Sequence, residues 1–187
     1  GVKTTTIGVL AMTFWASITG HNEVIAQNRR IPQSTINRAI TVVGSTEGTA
    51  GRILVAARYF ANGILDSSFG EHGISLIGMG DDVSVEGVVE RGDSTFVLSG
   101  TILSRQKSSA LLVGLDRYGA LNPDFGLKGI AMAGGNFAAS EGYGLAIDKA
   151  GLIYVAGAVG LPGKRDSALF RFTSKGEADL GFGDQGV

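Results

Sequence analysis

Short apolar runs bounded by polar turn residues recur along this chain, and they predict strands rather than helices. Three such runs end in glycine and are evenly spaced, at residues 40–44, 96–100 and 153–157. Each is rich in β-branched or aromatic residues, which is typical of a strand buried on both faces. Because the runs lie 56 and then 57 residues apart, they predict a repeated all-β unit.

Each unit contains further strands. Segment 144–147 leads into a turn where Asp148 can accept a backbone N–H two residues ahead, and 91–94 is the equivalent turn one unit earlier. A third strand is predicted at 53–59, 110–115 and 168–172, and a fourth at 74–77 and 130–133. The pattern therefore predicts four short antiparallel strands per unit.

A glycine-rich phrase follows the third strand of every unit. Its recurring residues are Gly63, Asp66, Phe69, Gly70 and Gly73, then Gly119, Asn122, Phe125, Gly126 and Gly129, then Gly176, Asp179, Phe182, Gly183 and Gly186. One large ring per unit predicts a plug between neighbouring sheets. The Asp or Asn predicts a side chain that caps a turn. We interpret these residues as structural.

Four strands in about 57 residues match the blade of a β-propeller. A β-solenoid usually has shorter coils, and a sandwich would not need the same phrase at equal intervals. The predicted fold class is therefore all-β, with β-propeller-like blades of four antiparallel strands in units of approximately 36–73, 74–129 and 130–187. A closed propeller takes 4 to 8 blades. About three blades predict an incomplete array, either a piece of a longer protein or an open array that self-associates through exposed end strands.

The phrase and the strand before it resemble the delta-60 repeat, an uncharacterised bacterial family. The first copy, at 58–73, is the most similar, and the second keeps Arg117 and Tyr118 close by. The third departs further, with Ala178 where leucine is usual. The resemblance extends from about Ile36 to the end of the sequence. It implies a propeller-like fold and a secreted or cell-surface protein, and it implies no catalytic residues.

Composition excludes several classes of function. The 16 Lys and Arg residues balance 17 Asp and Glu residues, with no long run of either sign. This balance argues against nucleic acid or an anionic membrane surface as the main partner. The absence of cysteine excludes disulfides and thiolate sites. Glycine, at 30 of 187 residues, suits the many tight turns of an all-β fold.

The first 26 residues have the parts of a secretory signal peptide. Lys3 precedes an uncharged stretch at 7–18, and small or branched residues at 24–26 suit cleavage before Gln27. The stretch is too short to span a bilayer, so no membrane span is predicted. The alternative is a buried first strand. With the signal, 27–187 is the repeat domain and the protein is secreted, periplasmic or at the bacterial cell surface.

Candidate chemistry is sparse. His72 occupies a position that Lys128 and Gln185 fill in the other copies, which indicates an exposed loop. The carboxylate clusters are Asp66 with Glu71, and Asp81 and Asp82 with Glu86, and neither has the ligand spacing of a known calcium loop. No catalytic residue, metal site or cofactor site is predicted.

The most suggestive surface feature is basic. Arg105 and Lys107 lie in one inter-strand loop, and Lys164 and Arg165 lie in the equivalent loop one unit later. Equivalent loops of a propeller project from the same rim, so these residues are a candidate anion-binding stripe. The first unit has Glu47 at that place.

The sequence thus predicts a non-enzymatic, exported repeat module that serves as a structural scaffold or binds a protein or carbohydrate ligand. The alternative is an enzyme on a propeller, a carbohydrate-active hydrolase or lyase that uses loop carboxylates such as Asp81, Asp82 and Glu86. A third possibility is a piece with no function of its own.

Overall fold

The computed structural model describes residues 15–18, 39–49, 51–133, 137–161 and 163–187, and every regular element in them is a β-strand. The strands are β1 (Trp15–Ile18), β2 (Ala39–Gly48), β3 (Gly51–Phe60), β4 (Ile74–Ile77), β5 (Asp82–Glu90), β6 (Phe96–Ser104), β7 (Lys107–Leu115), β8 (Ile130–Ala133), β9 (Ser140–Ile147), β10 (Ile153–Leu161) and β11 (Lys164–Phe172). The all-β prediction is confirmed.

These strands form three antiparallel sheets, and each sheet is built from consecutive strands. The first has the order β1-β2-β3-β4, the second β5-β6-β7-β8, and the third β9-β10-β11. Consecutive strands pair because short turns connect them, which favours antiparallel neighbours.

The predicted strands are present, but the hairpins are longer than the apolar runs. β6 pairs with β7 from Phe96↔Leu115 to Ser104↔Lys107, and β10 pairs with β11 from Ile153↔Phe172 to Leu161↔Lys164. The outer ends of these hairpins are largely exposed, and they combine polar residues with the exposed Leu103 and Leu161. Backbone pairing continues past the apolar residues, so the hydrophobic pattern alone underestimates the strand length.

The fourth strand of each unit belongs to the same sheet as the third. β4 pairs with β3 from Leu54↔Ile77 to Ala57↔Ile74, and β8 pairs with β7 in the same way. The glycine-rich phrase therefore connects two strands of one sheet. The sheets are offset by one strand from the sequence units 36–73, 74–129 and 130–187.

The core lies between the sheets, in two clusters that share the middle sheet. Phe96 and Leu98 of β6 face the first sheet, in a cluster with Phe69 and Val43. Val97, between them, belongs to a second cluster with residues of the third sheet, including Ile153 and Phe170. The period of two along a strand thus sends alternate side chains to different cores.

The prediction that all three glycine-ending strands are buried on both faces is wrong for two of them. Residues 96–100 of β6 are all buried, because packed sheets cover both faces of the middle sheet. Residues 153–157 of β10 alternate between buried and more exposed positions, and in β2 Ile40 and Val42 are only half-buried although Thr41, Val43 and Gly44 are buried. Their apolar runs reflect strand-forming residues rather than burial on both faces.

Of the predicted signal segment, residues 1–26, only Trp15–Ile18 is described. It is β1, which pairs with β2 from Trp15↔Val43 to Ile18↔Ile40. The remainder of that segment lies outside the described residues, so the signal peptide stays a prediction. Within the described part of the chain, no helix could cross a membrane.

Candidate functional site

The phenylalanines of the first two phrases, Phe69 and Phe125, lie where one sheet meets the next. Phe69 and Phe125 are 0% and 1% exposed. Phe69 packs edge-on against Phe96 of the next sheet, with ring centroids 5.8 Å apart. Gly119 and Gly176, the first glycines of the following phrases, are themselves buried. A β-carbon added at Gly176 would lie 2.7 Å from ring atoms of Phe125.

A backbone hydrogen bond accompanies each of these ring contacts. The Gly70 N–H donates to the Tyr118 carbonyl at 2.7 Å, and the Gly126 N–H donates to the Lys175 carbonyl at 2.7 Å. We call this combination the Phe–Gly joint. It consists of a phenylalanine ring buried beneath the glycine that opens the next phrase, and a hydrogen bond from the glycine after that phenylalanine to the carbonyl of the residue just before the opening glycine. The described part of the chain contains it twice, with similar geometry.

An ion pair supports the first joint. The Arg58 guanidinium contacts the Asp66 carboxylate at 2.8 Å, with both side chains largely buried. It also donates to Ser68 Oγ and to the Arg117 carbonyl across the joint. Burial alone would raise the pKa of Asp66, but hydrogen bonds from Ser68 and the nearby Arg58 charge outweigh it, so the pKa is lowered.

The second unit replaces both members of this pair together. The Gly114 N–H donates to the Gly129 carbonyl, and the Gly114 carbonyl accepts the Asn122 N–H. Arg58 makes the same two backbone bonds in the first unit. Arg117 therefore does not take the place of Arg58. Since Asn122 is neutral, no buried carboxylate is left without its arginine. In the third unit Arg171 and Asp179 restore the pair, at 2.8 Å.

The capping predicted for the phrase is confirmed. Oδ1 of Asp66 accepts the Ser68 N–H at 3.0 Å, Oδ1 of Asn122 accepts the Asp124 N–H at 3.1 Å, and Oδ1 of Asp179 accepts the Gly181 N–H at 3.2 Å. These three side chains thus stabilise the turn in each phrase.

A polar cavity lined by residues from all three sheets lies between them. It has a volume of about 310 Å³. Its lining is Arg52, Asp82, Ser84, Glu86, Thr101, Leu103, Ser108, Glu141 and Tyr143. Residues from β3, β5, β6, β7 and β9 therefore meet at one place. Below we call it the inter-sheet cavity.

Two β-bulges direct side chains toward the inter-sheet cavity. The pairing of β5 with β6 passes from Val85↔Gly100 to Gly87↔Ser99 and leaves out Glu86. The pairing of β9 with β10 likewise leaves out Tyr143. Glu86 and Tyr143 are 57 residues apart, so the bulge recurs at the equivalent place in two sheets. A bulge of this kind re-aims a side chain.

Most charges of the inter-sheet cavity are paired. Arg52 Nε contacts Asp82 at 3.0 Å, and this hydrogen bond lowers the pKa of Asp82. Glu141 accepts from Arg165 and, at 2.6 Å, from the Tyr143 hydroxyl. The bond to Glu141 raises the pKa of Tyr143. Among the described residues, Glu86 is the lining carboxylate without an ion-pair or hydrogen-bond partner.

The predicted anion-binding residues lie at two equivalent hairpin tips. Arg105 is within the β6–β7 turn and Lys107 begins β7, while Lys164 and Arg165 begin β11. All four are exposed. Arg165 is held by Glu141, which neutralises its charge locally. None of the four lines the inter-sheet cavity, and their joint role in binding an anion stays a prediction.

A larger, shallower cleft of about 770 Å³ lies between the second and third units. Several of its polar groups already bond within the protein. Asp93 accepts from Thr95, Asp116 accepts two N–H groups of its own turn, and Arg91 donates to the Ser174 carbonyl. The bonds from Thr95 lower the pKa of Asp93. These contacts stabilise turns.

A third cleft, of about 530 Å³, lies beside the first joint and includes His72. His72, Lys128 and Gln185 share a positive φ of 55° and are exposed, which confirms the predicted loop position. Ser75, in the same cleft, donates to the Gly119 carbonyl. Among the described residues, no three His, Asp or Glu side chains are grouped so that they could hold a metal ion.

Sequence reasoning found part of the inter-sheet cavity. It grouped Asp82 with Glu86, and both line the cavity, whereas Asp81 is not among the lining residues. It missed Arg52, Glu141 and Tyr143. The repeat carried one usable signal, since Glu86 and Tyr143 occupy equivalent positions in successive units. The partners of these residues depend on strand register, which the repeat does not specify.

In the comparisons with known proteins, no family model matches this chain and no curated protein is significantly similar to it. The resemblance to the delta-60 repeat therefore remains a prediction.

Proposed function

We propose that this chain is a non-enzymatic, exported repeat module whose stacked sheets form a binding scaffold. The observation that carries the proposal is the Phe–Gly joint, because recurring residues of the phrase join one sheet to the next at both joints in the described structure. Stacked repeats create extended surfaces that repeat proteins use for binding, and the inter-sheet cavity lies on such a surface, between the sheets.

The proposed architecture is an array of β-propeller-like blades, related to the delta-60 repeat. Three features support it: each sheet is a meander of consecutive strands, neighbouring sheets pack face to face through shared cores, and the edge strands β5 and β9 contact each other. Edge strands that meet in this way suit the inner wall of a propeller, where blades converge on an axis.

The ligand we propose for the inter-sheet cavity is a small carbohydrate. Carboxylate and arginine groups at the cavity can accept and donate hydrogen bonds to sugar hydroxyls, and Ser84, Thr101 and Ser108 supply further polar groups. Tyr143, 46% exposed, offers an aromatic face. The volume is at the low end of the range typical of ligand pockets, which suits one or two sugar rings.

The alternative is a carbohydrate-active hydrolase, and the three carboxylates of the inter-sheet cavity favour considering it. Glycoside hydrolysis commonly uses one protonated and one ionised carboxyl group. Asp82 is held ionised by Arg52, and both Arg165 and Tyr143 donate to Glu141. Of the three carboxylates, Glu86 alone is then unpaired among the described residues, and hydrolysis would need a second one. The arrangement therefore favours binding over catalysis.

Binding of neutral mono- and disaccharides by isothermal titration calorimetry tests the proposal. The Glu86→Gln variant should lose at least tenfold in affinity, since hydrogen bonds to charged groups contribute about 1.5–3 kcal/mol. Glu177→Gln is the matched control, because Glu177 is exposed and lies outside the inter-sheet cavity, and it should bind as the unmodified chain does. Absence of saccharide binding, or equal affinity in both variants, would contradict the proposal. New reducing ends that depend on Glu86 would favour the hydrolase.

A further inference from the structure

The charges at the inter-sheet cavity do not cancel one another. Arg52 contacts Asp82 at 3.0 Å, and Arg165 contacts Glu141. Each of these pairs combines a positive and a negative charge, so the two pairs contribute no net charge. Glu86 is the remaining charged residue of the described lining. The lining and its partners therefore carry one uncompensated negative charge.

The position of Glu86 is set by the backbone. It lies at the β5 bulge, outside the pairing of β5 with β6, and it is half-buried. Among the described residues it has no ion-pair or hydrogen-bond partner. Burying a charge is unfavourable unless the charge is paired. A cationic group that enters the cavity would supply the missing partner.

The aromatic ring of Tyr143 independently favours a cation. Tyr143 lies at the equivalent bulge of the next sheet and is exposed. Its hydroxyl donates to Glu141 at 2.6 Å, which fixes the hydroxyl end of the ring. The face of a tyrosine ring attracts a cation electrostatically. Two successive bulges thus supply a carboxylate and an aromatic ring, and both favour the same sign of charge.

We infer that the ligand of the inter-sheet cavity is an amino sugar, a saccharide whose protonated primary amine binds Glu86. This inference rests on the carbohydrate binding proposed above and names the class of carbohydrate. The ammonium group would donate to the Glu86 carboxylate, and such charge-assisted hydrogen bonds are stronger than neutral ones. The sugar hydroxyls would bond to Ser84, Thr101 and Ser108. A neutral saccharide can make the same hydroxyl contacts, but it leaves the charge of Glu86 uncompensated.

A metal ion fits this charge less well than an ammonium group does. Calcium takes about six to eight oxygen ligands, often from several carboxylates. Asp82 and Glu141 already accept hydrogen bonds from arginines, and the described residues contain no group of three His, Asp or Glu side chains suited to a metal. An ammonium group needs only one carboxylate and neutral acceptors.

Isothermal titration calorimetry with glucosamine and N-acetylglucosamine tests the inference. The two sugars have the same ring, but acetylation removes the charge of the amine. At about pH 6, where a primary amine is protonated, glucosamine should bind about tenfold more tightly, and the difference should shrink as salt is added. Glucose separates the loss of charge from the bulk of the acetyl group, and it should also bind about tenfold more weakly than glucosamine.

Glu86→Gln is the test variant, because glutamine keeps the shape of the side chain and removes its charge. In this variant the preference for glucosamine over glucose should disappear. Glu177→Gln is the matched control, at an exposed residue outside the cavity, and it should keep the preference. Since Glu86 has no partner among the described residues, Glu86→Gln should leave Tm unchanged or raise it, which a residue needed for folding would not do.

Equal affinity for glucosamine and glucose, or a preference that persists in Glu86→Gln, would overturn the inference and leave the carbohydrate-binding proposal in place. A lower Tm for Glu86→Gln would also overturn it, because Glu86 would then stabilise the fold through a partner within the protein. Absence of binding by all three sugars would contradict both proposals.

Discussion

Gly119 lies against the ring of Phe69, and a β-carbon at Gly119 would come within 2.8 Å of Cε1 and Cζ of that ring. Such a contact is too short for a real β-carbon, so the fit of the two sheets depends on glycine at this position. The same relationship links Gly176 to Phe125. Its recurrence explains why the second and third phrases begin with glycine and why the first and second contain phenylalanine.

Gly119→Ala should therefore destabilise the protein more than its backbone conformation alone requires. A positive φ costs an alanine roughly 1–2 kcal/mol, and forcing the methyl group into the joint adds about 1–3 kcal/mol. Gly163→Ala is the control, with a φ of 80° and open space, and it should show only the first cost. Urea unfolding measures both. Equal losses of unfolding free energy would show that the joint is not tightly packed.

The Arg58–Asp66 pair should show strong coupling in a double-mutant cycle. Arg58→Met leaves Asp66 as a largely buried, unpaired carboxylate, a change that typically costs 3–5 kcal/mol. Adding Asp66→Asn reproduces the neutral solution of the second unit and should recover part of that loss.

The exposed pair Arg52–Asp82, whose side chains are 45% and 38% exposed, supplies the control for this cycle. Arg52→Met and Asp82→Asn should show a coupling of about 0–1 kcal/mol, as is usual at the surface. Similar coupling free energies in the two cycles would argue against a special role for the Arg58–Asp66 pair.

Stability should fall as the pH is lowered through and below about 4, the usual pKa of aspartate. The pKa values of Asp66, Asp82 and Asp93 are all lowered in the folded protein. The unfolded chain therefore binds more protons in this range, and the free energy of unfolding increases with pH. The stabilisation is fully present above the unfolded-state pKa. Thermal unfolding between pH 2 and about 6 measures the slope, which Asp66→Asn should reduce. An unchanged slope in that variant would contradict the assignment to Asp66.

The tip of the β6–β7 hairpin is a site where stability can be gained. Arg105 and Gln106 both have positive φ, of 47° and 67°, a conformation that asparagine and glycine adopt more readily in two-residue hairpin turns. The double change Arg105→Asn and Gln106→Gly should raise the free energy of unfolding by about 1 kcal/mol, which corresponds to roughly 2–4 °C in Tm for a chain of this size. A lower Tm would indicate that these side chains stabilise the turn in another way.

The sequence carried enough information for the strands and the turns, since both are local. β-branched runs predict β6 and β10, and the Asp148 turn forms as expected, with the Ala150 N–H donating to Asp148 at 2.9 Å. Burial was harder to predict. The same kind of run is buried on both faces of the strand in β6 but not in β2, because burial depends on which sheets pack against each strand.

The inter-sheet cavity could be predicted only in part because its contacts are long-range. Nothing local links Arg52 to Asp82, which is 30 residues away, or Arg165 to Glu141. Likewise, Gly114 rather than Arg117 takes the place of Arg58, because the pairing of β7 decides which residue faces the phrase. The sequence repeat predicts the spacing of the units, but the strand register determines which side chains contact one another.

The nuclear Overhauser spectrum of the folded chain tests the account's central claim most directly, because it detects the Phe–Gly joints themselves. We predict contacts between the Phe69 ring protons and the Gly119 α protons, and between those of Phe125 and Gly176. If both rings lack contacts to these glycines, the sheets are not joined as described here, and the proposed scaffold is wrong.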